Sequence, residues 1–292
     1  ELALSLSMAG DAQNGVEEFQ RARSLYPASP VAERALQATT ALHRIYGNAK
    51  PVFTRDGAFS LQAGDVLKDV RSIAVTPTGT TWIASNKTRS AVSFDPGFKL
   101  GASLSSEDPQ TLSLSPAGEV VFASKLAVKV GAGGVFSFSI PSDKPGEMEL
   151  IDRIGAATLL VSGDMLVSDL KRKRVLRFKG NTFASIFPDR TEREVIKLLT
   201  TPRGEAVMLR KDDKSIEIFD DNGRLIAKLG PRGAGFEWKK PVDVAIDAFS
   251  NLYVADEDQG IFMLSPKGEL LTVFGAADVK KALMSAIANA EN

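Results

Sequence analysis

Residues 251–275 read NLYVADEDQGIFMLSPKGELLTVFG, and this stretch decides the fold class. It contains three apolar runs of about six residues each, separated by turn residues at 256–260 and 265–268. Short apolar runs bounded by Gly, Pro, Asp and Ser are typical of antiparallel strands joined by tight turns. The run VDVAID at 242–247 adds a fourth strand just upstream.

The same four-strand pattern recurs through most of the chain. Copies begin near residues 70, 109, 155, 193 and 240, roughly 38–48 residues apart. In the longer copy at 109–154, GGVFSFSIP and EMELIDRI are predicted as the third and fourth strands. Repeats of four short strands at this period are typical of β-propeller blades. Residues 51–64, with Arg55-Asp56-Gly57 as their turn, are predicted as two strands of a sixth blade.

The last copy also carries the features of a known repeat family. PRGAGFEWKKPVDVAIDAFSNLYVADEDQGIFMLSPKGELLTVFG (231–275) has a glycine-rich lead-in, a proline before the first strand, a Leu-Tyr-Val-Ala-Asp strand, a Ser-Pro-x-Gly turn and a closing Phe-Gly. It resembles the NHL repeat, and the resemblance covers about residues 52–275. That resemblance implies a mainly β protein, a six-bladed NHL-like propeller.

The first 47 residues have a different composition, rich in Ala, Leu, Glu and Arg, which favours helices. Tyr26-Pro27 is predicted to end one helix, with Ser29 capping the next and Pro30 in its first position. The apolar stripe predicted for the later helix consists of Ala32, Ala35, Leu36, Thr39, Leu42 and Ile45.

These helices resemble a tetratricopeptide repeat (TPR) on the segment GDAQNGVEEFQRARSLYP at 10–27. Gly15 and Ala22 match its small positions, Phe19 its aromatic position and Pro27 its closing proline. A plain helical hairpin that caps the next domain is the alternative. Near the other end, Val279, Leu283, Ile287 and Ala290 share one face of a predicted helix. The predicted domains are a TPR-like segment at 1–48, an NHL-like propeller at 49–275 and a C-terminal helix at 276–292.

Composition excludes several classes of site. The 292 residues contain 36 Lys and Arg against 36 Asp and Glu, so the whole chain has no net attraction to nucleic acid or an anionic membrane. There is no cysteine and one histidine, His43. Thiolate metal sites are therefore excluded, and zinc or histidine-based catalysis is not expected. We predict no bound transition metal and, with no catalytic constellation visible, a chain that is not an enzyme.

Repeated aspartates are the first candidate site. Asp169 and Asp256 end the second strands of their blades, and Asp243 and Asp247 flank the first strand of the last blade. Inward carboxylates could hold Ca²⁺ in a central channel, as in lactonase-like propellers. The favoured interpretation is that each aspartate accepts hydrogen bonds from the backbone of the following turn. No cofactor is therefore predicted, with Ca²⁺ as the alternative.

Candidate partner-binding residues lie in two loops. Lys171, Arg172 and Lys173 form a basic turn, and some NHL propellers bind RNA on a basic face, but no stacking aromatics interleave here. A solvated turn or an acidic protein partner is favoured. Phe236 and Trp238 are predicted as a protein contact if exposed. Trp82 and Tyr253 are expected to pack between blades, and His43 to be an ordinary helix residue.

The two resemblances together imply a non-enzymatic scaffold or a subunit of a larger assembly. Its TPR-like helices and propeller loops would bind protein partners in a multi-subunit or membrane-associated complex, without nucleic acid and without a membrane span in this chain. The alternative is a calcium-dependent, lactonase-like hydrolase or a propeller that binds a small molecule in its central channel. Converging Asp, Asn and Glu in the channel would favour that alternative. The combination of repeats resembles exported bacterial proteins and implies a periplasmic or other extracytoplasmic location.

Overall fold

The computed structural model describes residues 1–27, 29–46, 64–142, 144–188, 192–233 and 236–275. The chain divides into two compact units, one formed by Glu1–Arg55 with Pro231–Asn292 and the other by Asp56–Gly230. None of the helices in the described ranges is long and apolar enough to cross a membrane.

Three helices form the start of the first unit, and they are α1 (Leu2–Met8), α2 (Ala12–Leu25) and α3 (Pro30–Tyr46). The Asp11 carboxylate caps α2 by accepting the Asn14 N–H at 3.3 Å. The Ser29 hydroxyl accepts the Ala32 N–H at 3.2 Å, and Pro30 opens α3. The predicted boundary between these helices is therefore confirmed, because a proline in the first turn needs no N–H partner.

Close approach of α1 and α2 depends on Gly15, which is buried. A Cβ atom at Gly15 would lie 2.2 Å from the Ser7 hydroxyl oxygen, so a larger residue would force Ser7 to move from its hydrogen bond with the Ala3 carbonyl. Helix α3 buries Ala35, Thr39 and Leu42, whereas Leu36 is 45% exposed. The prediction that Leu36 belongs to the buried stripe is wrong, because Ala35, Thr39 and Leu42 already define the buried face at helical spacing and Leu36 turns away from it.

The second unit contains four four-stranded antiparallel sheets, each formed by consecutive strands. Blade 1 comprises β1 (Val70–Val75), β2 (Thr81–Ser85), β3 (Ser90–Phe94) and β4 (Leu100–Ser105). Blade 2 comprises β5 (Pro109–Leu114), β6 (Val120–Ser124), β7 (Val128–Val130) and β8 (Val135–Phe136). A separate two-stranded pair follows it, β9 (Ser139–Pro141) with β10 (Met148–Leu150). Blade 3 comprises β11 (Ile154–Leu159), β12 (Met165–Asp169), β13 (Arg174–Lys179) and β14 (Thr182–Phe187). Blade 4 comprises β15 (Val195–Thr200), β16 (Ala206–Arg210), β17 (Ile216–Phe219) and β18 (Leu225–Leu229).

The first unit holds the remaining strands. A short pair, β19 (Arg232–Gly233) with β20 (Phe236–Glu237), leads into blade 5. Blade 5 comprises β21 (Pro241–Ile246), β22 (Leu252–Asp256), β23 (Gly260–Leu264) and β24 (Leu270–Gly275).

A recurrent five-residue turn explains the Ser-Pro-x-Gly pattern. In the turn after β5, the Gly118 N–H donates to the Ser115 carbonyl at 2.8 Å, and the Glu119 N–H donates to the Ser115 hydroxyl at 3.1 Å. Gly118 has a φ of 80°, which favours glycine at that position. The same bonds recur at 201–205 and at 265–269. In each of these turns the hydroxyl group of the first residue accepts the N–H of the fifth and holds the two ends of the turn together.

Apolar layers between successive sheets form the core of the second unit. One layer joins blades 1 and 2 through Ala74, Ala84, Leu112 and Phe122. Another joins blades 3 and 4 through Leu166, Val175, Leu198 and Met208. Packing of one sheet face on the next is the arrangement of a β-propeller.

The structure corrects two expectations about the sheets. Five four-stranded sheets are present among the described residues, whereas six blades were predicted. In blade 2 the third and fourth strands are the short β7 and β8, while the predicted strands at 133–141 and 147–154 contribute β8 and the separate β9–β10 pair. The predicted strand pair at 51–64, apart from Gly64, and the predicted helix at 276–292 lie outside the described residues.

Candidate functional site

An apolar groove lies within the first unit, between the helices and the turn after β21. Its volume is about 620 Å³. Ala3 and Leu4 of α1, Phe19 and Ala22 of α2, a row along α3, and Ala248 and Phe249 of the blade 5 turn line it. Few polar groups enter: Glu1, Arg34 and Gln37 are the polar side chains that line it. A groove with this lining can bury an apolar segment and offers little for binding a charged one.

The α3 side of the groove follows helical spacing. Val31, Ala35, Ala38 and Ala41 recur every three or four residues, so they share one face of the helix. Their side chains are small apart from Val31, which lets another backbone approach closely. Val31 is 46% exposed and Leu4 is 36% exposed, so large apolar side chains remain open to solvent at the groove. Exposed apolar surface in a concave site is typical of a binding surface.

A polar network ties α3 to blade 5. The Tyr46 hydroxyl donates to Asn251 Oδ1 at 2.7 Å, and Asn251 Nδ2 donates to Asp247 Oδ2 at 2.8 Å. The Tyr253 hydroxyl donates to the same Asp247 oxygen at 3.1 Å. Burial, together with the charge of Asp247, raises the pKa of Tyr46 to about 12. Burial and Asp247 likewise raise the pKa of Tyr253. Both phenols are therefore held in the neutral, donating form.

Three of the four candidate aspartates, Asp169, Asp247 and Asp256, act as turn caps, whereas Asp243 accepts the N–H of the next residue in its own strand. Asp169 Oδ1 accepts the backbone N–H groups of Lys171 and Arg172 at 3.0 and 3.1 Å. Asp256 accepts four backbone N–H groups, two from residues 239 and 240 and two from residues 258 and 259. Asp247 similarly accepts the N–H groups of Phe249 and Asn251. The interpretation of these three aspartates as acceptors of turn hydrogen bonds is confirmed.

Carboxylates do not converge on the first strands of the second unit. These strands, β1, β5, β11 and β15, contain no Asp or Glu. Their hydroxyl groups bond to other blades. Ser113 donates to the Ala157 carbonyl at 2.7 Å. Ser72 of blade 1 accepts the Leu112 N–H of blade 2 and Lys197 Nζ of blade 4, each at 3.0 Å. Across the described ranges, no three His, Asp or Glu side chains are grouped as metal ligands. Asp243 accepts the Val244 N–H at 2.8 Å.

The basic turn of blade 3 is partly neutralised within the protein. Lys171 Nζ contacts Asp152 Oδ2 at 2.6 Å. Arg172 contacts Asp169 Oδ2 at 3.0 Å and also pairs with Glu149. Lys173 is exposed in the left-handed conformation, with a φ of 51°. Two of the three predicted contact residues therefore hold internal partners, and their role in binding a partner stays a prediction.

Trp238 was predicted to be a protein contact if it is exposed, and it is buried. It is 1% exposed, stacks on Phe236 with ring centroids 5.1 Å apart, and meets Phe262 edge-on at 6.2 Å. Large aromatic residues of this kind contribute mainly by burying apolar area. Phe236 is half-buried in the same cluster. The two aromatics stabilise the entry to blade 5.

The other singled-out side chains take ordinary structural positions. Trp82 and Tyr253 pair with Ala74 and Ala245 at equivalent places in their second strands, as expected. Trp82 packs against the layer between blades 1 and 2, whereas the Tyr253 hydroxyl bonds to Asp247 of its own blade, so packing between blades is confirmed for Trp82 only. His43 is exposed beside a shallow cavity of about 310 Å³ between α2 and α3. The expectation that His43 is an ordinary helix residue is consistent with this position.

Sequence reasoning missed the groove and its anchor. Residues 19, 38 and 249 are distant in the sequence, and the repeat pattern gives no sign that the helices meet the first turn of blade 5. The sequence offers one signal, an Asn at position 251 in the turn between two predicted strands, and in the structure it is buried and therefore needs partners.

Comparison of the sequence with protein-family models and with curated proteins finds no match. The NHL and TPR resemblances are therefore not confirmed. Solved structures do match. A streptogramin B lyase structure is 16% identical, with a TM-score of 0.51, covering 74% of this chain and 71% of the lyase. Virginiamycin B lyase from Staphylococcus aureus is 15% identical, with a TM-score of 0.50, covering 73% of this chain and 71% of that one.

These likenesses overturn the prediction that the chain is not an enzyme. Among proteins of this fold is a lyase, so a propeller architecture and the absence of a familiar constellation do not support that conclusion. The prediction rested on the single histidine, the absent cysteine and the lack of a recognisable catalytic constellation, and none of these excludes other kinds of catalysis. At 15–16% identity the likeness shows the fold alone. The chain has a β-propeller fold with helices at its N-terminal end.

Proposed function

We propose that the chain is a protein-binding module, and that the groove of the first unit holds an amphipathic helix of a partner protein. The observation that carries the proposal is the apolar groove of about 620 Å³ with its row of small residues along α3. Helix-in-groove recognition uses such apolar surfaces, in which the partner inserts side chains at helical spacing.

The dimensions of the groove fit a helix of about three turns. Val31 and Ala41 are ten residues apart on α3, which corresponds to about 15 Å along the helix axis. Small side chains at Ala35 and Ala38 leave room for the larger apolar residues of a partner. Arg34 at the edge favours an acidic residue on the partner's polar face. Membership of a larger or membrane-associated assembly, and an extracytoplasmic location, belong to the same proposal.

Site-specific cross-linking tests the proposal cleanly, because the chain has no cysteine. Val31→Cys carries a photo-cross-linker into the groove, and Thr40→Cys, which is exposed on the same helix but does not line the groove, is the matched control. We expect Val31→Cys to give one adduct whose cross-linked peptide maps to an amphipathic helix. The Ala38→Glu change should abolish that adduct, because it places a charge on the apolar floor.

Three outcomes would contradict the proposal. The first is equal cross-linking from positions 31 and 40, and the second is an adduct that persists in the Ala38→Glu variant. The third is an adduct formed only with a second copy of the chain, which would make the groove a dimer contact.

The alternative function, a site in the central channel, has less support. It required carboxylates that converge, and the first strands of the second unit present hydroxyl groups and Lys197 that bond between blades. No observation on the described residues favours a calcium-dependent reaction or a small molecule at that place.

A further inference from the structure

A second cavity lies in the other unit, where blades 2 and 3 meet. Its volume is about 320 Å³, and its lining consists of Lys125, Asp152, Arg153, Leu170 and Lys171. Lys125 follows β6, Arg153 precedes β11 and Lys171 follows β12. Three cations and one carboxylate therefore surround a small space, which leaves an excess of two positive charges.

The backbone holds these residues firmly. The Lys125 N–H donates to the Asp108 carbonyl at 3.0 Å, and the Lys125 carbonyl accepts the Ile154 N–H at 2.8 Å. The Leu170 N–H donates to the Arg153 carbonyl at 2.9 Å. These bonds repeat in other blades, so the positions are set by the fold and only the side chains differ.

In blades 1 and 4 the residues at the equivalent positions pair with each other. In blade 1, Asn86 Nδ2 donates to Asp69 Oδ2 at 2.9 Å. In blade 4, Lys211 Nζ contacts Glu194 Oε1 at 2.9 Å. Each pair joins the residue before the first strand to the residue after the second. In blades 1 and 4 these positions are therefore satisfied within one blade, and in blade 5 the equivalent cation, Lys240, contacts Asp258 at 3.5 Å.

Blades 2 and 3 break that pattern at neighbouring points. In blade 2 the carboxylate of Asp108 accepts from Gln110 Nε2 at 2.7 Å, so Lys125 lacks the expected partner. In blade 3 the residue that should pair with Arg153 is Leu170. Neither Lys125 nor Arg153 forms an ion pair with any other residue that the structure describes. Two exposed cations, neither in an ion pair with a described residue, thus line one cavity with Asp152 as its carboxylate.

We propose that this cavity binds a small organic anion bearing a phosphate monoester or carboxylate group. Arg153 supplies a planar fork that matches either group, and Lys125 adds a second positive charge. Leu170 gives the apolar wall against which the carbon skeleton of the ligand would lie. The volume is at the lower end of the range for ligand pockets, roughly 300–1,000 Å³. This inference is independent of the groove and goes beyond the protein-binding function.

Asp152 gives the proposal a directional test. Its carboxylate lines the cavity and opposes an incoming anion, although Lys171 already partners it at 2.6 Å. The charge and hydrogen bond of Lys171, with a smaller effect of Lys125, lower the pKa of Asp152, so it remains ionised at neutral pH. Removing that charge should therefore strengthen binding.

Titration of the full chain with inorganic phosphate, glycerol 3-phosphate and acetate, followed by NMR or calorimetry at low ionic strength, measures the site. We expect saturable binding that weakens with salt. Arg153→Gln and Lys125→Gln should each lower the affinity by tenfold or more, and Asp152→Asn should raise it. Arg89→Gln and Lys87→Gln change exposed cations in the corresponding turn of blade 1 and should leave the affinity unchanged.

Several results would overturn the proposal. No saturable binding of any of the three probes would do so, as would equal losses in the blade 1 and blade 3 variants. A weaker affinity in Asp152→Asn would show that the anion binds elsewhere. Binding of an acidic peptide with no binding of the small anions would assign the surface to a protein partner instead.

Discussion

Single aspartates satisfy several backbone groups at once in this chain. Asp256 is 5% exposed and accepts four N–H groups from two separate segments, one before β21 and one after β22. A charged acceptor strengthens such hydrogen bonds. Because both carboxylate oxygens of Asp256 already accept N–H groups, they are not available as ligands for a cation. A carboxylate at the end of a strand thus indicates a cap as readily as a ligand.

Asp256→Ala should lower the free energy of unfolding measured in urea by at least about 1–3 kcal/mol, because buried N–H groups lose their acceptor. Asp258→Ala is the control, since its carboxylate is exposed and pairs with Lys240 at 3.5 Å. A surface pair of this kind is worth about 0–1 kcal/mol. Equal effects of the two changes would contradict the role given to Asp256.

Tyr46 gives a pH dependence with a definite sign. Its pKa is raised from 10.0 to about 12, so the folded state binds the phenolic proton more tightly than the unfolded state does. The stabilisation is fully present below pH 10 and is lost as the pH rises toward 12. Ultraviolet titration of tyrosinate should show late ionisation, and Tyr46→Phe should remove one part of that late step. Loss of an early step instead would place Tyr46 in solvent.

At the scale of elements, a structure could be predicted from the sequence when the residues that define it lie close together in the chain. Turns are local: the opener, the proline and the glycine lie within five residues, and the blade repeat followed from them. The strands of blade 2 were misassigned because VFSFSI alternates over a longer run than β7, which has three residues. The pairing of β6 with β7 determines which residues form the third strand of blade 2, and this pairing is a tertiary contact.

The candidate sites were less predictable for the same reason. The basic turn was visible because Lys171, Arg172 and Lys173 are adjacent, yet the cavity also needs Lys125 and Arg153 from other turns. The groove likewise needs Phe249 beside Phe19. Composition and spacing give residue types within one element, whereas these sites are built from several elements that only the fold brings together.

Two glycines test the packing of turns in neighbouring blades. Gly163 and Gly204 occupy the same place in the turns of blades 3 and 4, with φ values of 83° and 88°. A Cβ at Gly204 would lie 2.6 Å from Val161 Cγ2, whereas a Cβ at Gly163 meets nothing within 4 Å. Both Ala substitutions carry the cost of a left-handed residue, about 1–2 kcal/mol.

Gly204→Ala should therefore lower the free energy of unfolding more than Gly163→Ala does. The difference between the two variants isolates the contact with Val161, since the backbone term is common to both. Adding Val161→Ala to the Gly204→Ala variant should recover part of the loss. If the two glycine variants are equally stable, the turns of blades 3 and 4 do not touch in solution.

At the scale of the whole molecule, the two compact units do not follow the order of the sequence, because the first unit combines the two ends of the chain. The helices belong to one compact unit with blade 5, although more than 180 residues separate α3 from β21. The bond from Tyr46 to Asn251 at 2.7 Å is part of that unit. This bond predicts that the helices and the first turn of blade 5 stabilise each other.

Leu42 and Leu36 provide a matched pair for testing this coupling. Leu42 is 1% exposed, and Leu36, six residues earlier on the same helix, is 45% exposed. Leu42→Ala should cost the first unit about 2–5 kcal/mol through lost burial and the cavity left behind. Leu36→Ala should cost far less, because little apolar area leaves water at that position.

Hydrogen exchange of the backbone amides shows which segments lose stability in the Leu42→Ala variant. In Leu42→Ala, protection should fall in α1–α3 and also at the Asn251 amide, which the carboxylate of Asp247 accepts at 2.9 Å in the network that includes Tyr46. Amides of β11–β14, in the other unit, should keep their protection. If only α1–α3 lose protection, the helices are independent of blade 5 and the Tyr46 hydrogen bond does not stabilise that blade. If protection falls equally in β11–β14, the two units unfold as one, and the groove cannot be disrupted without losing the propeller.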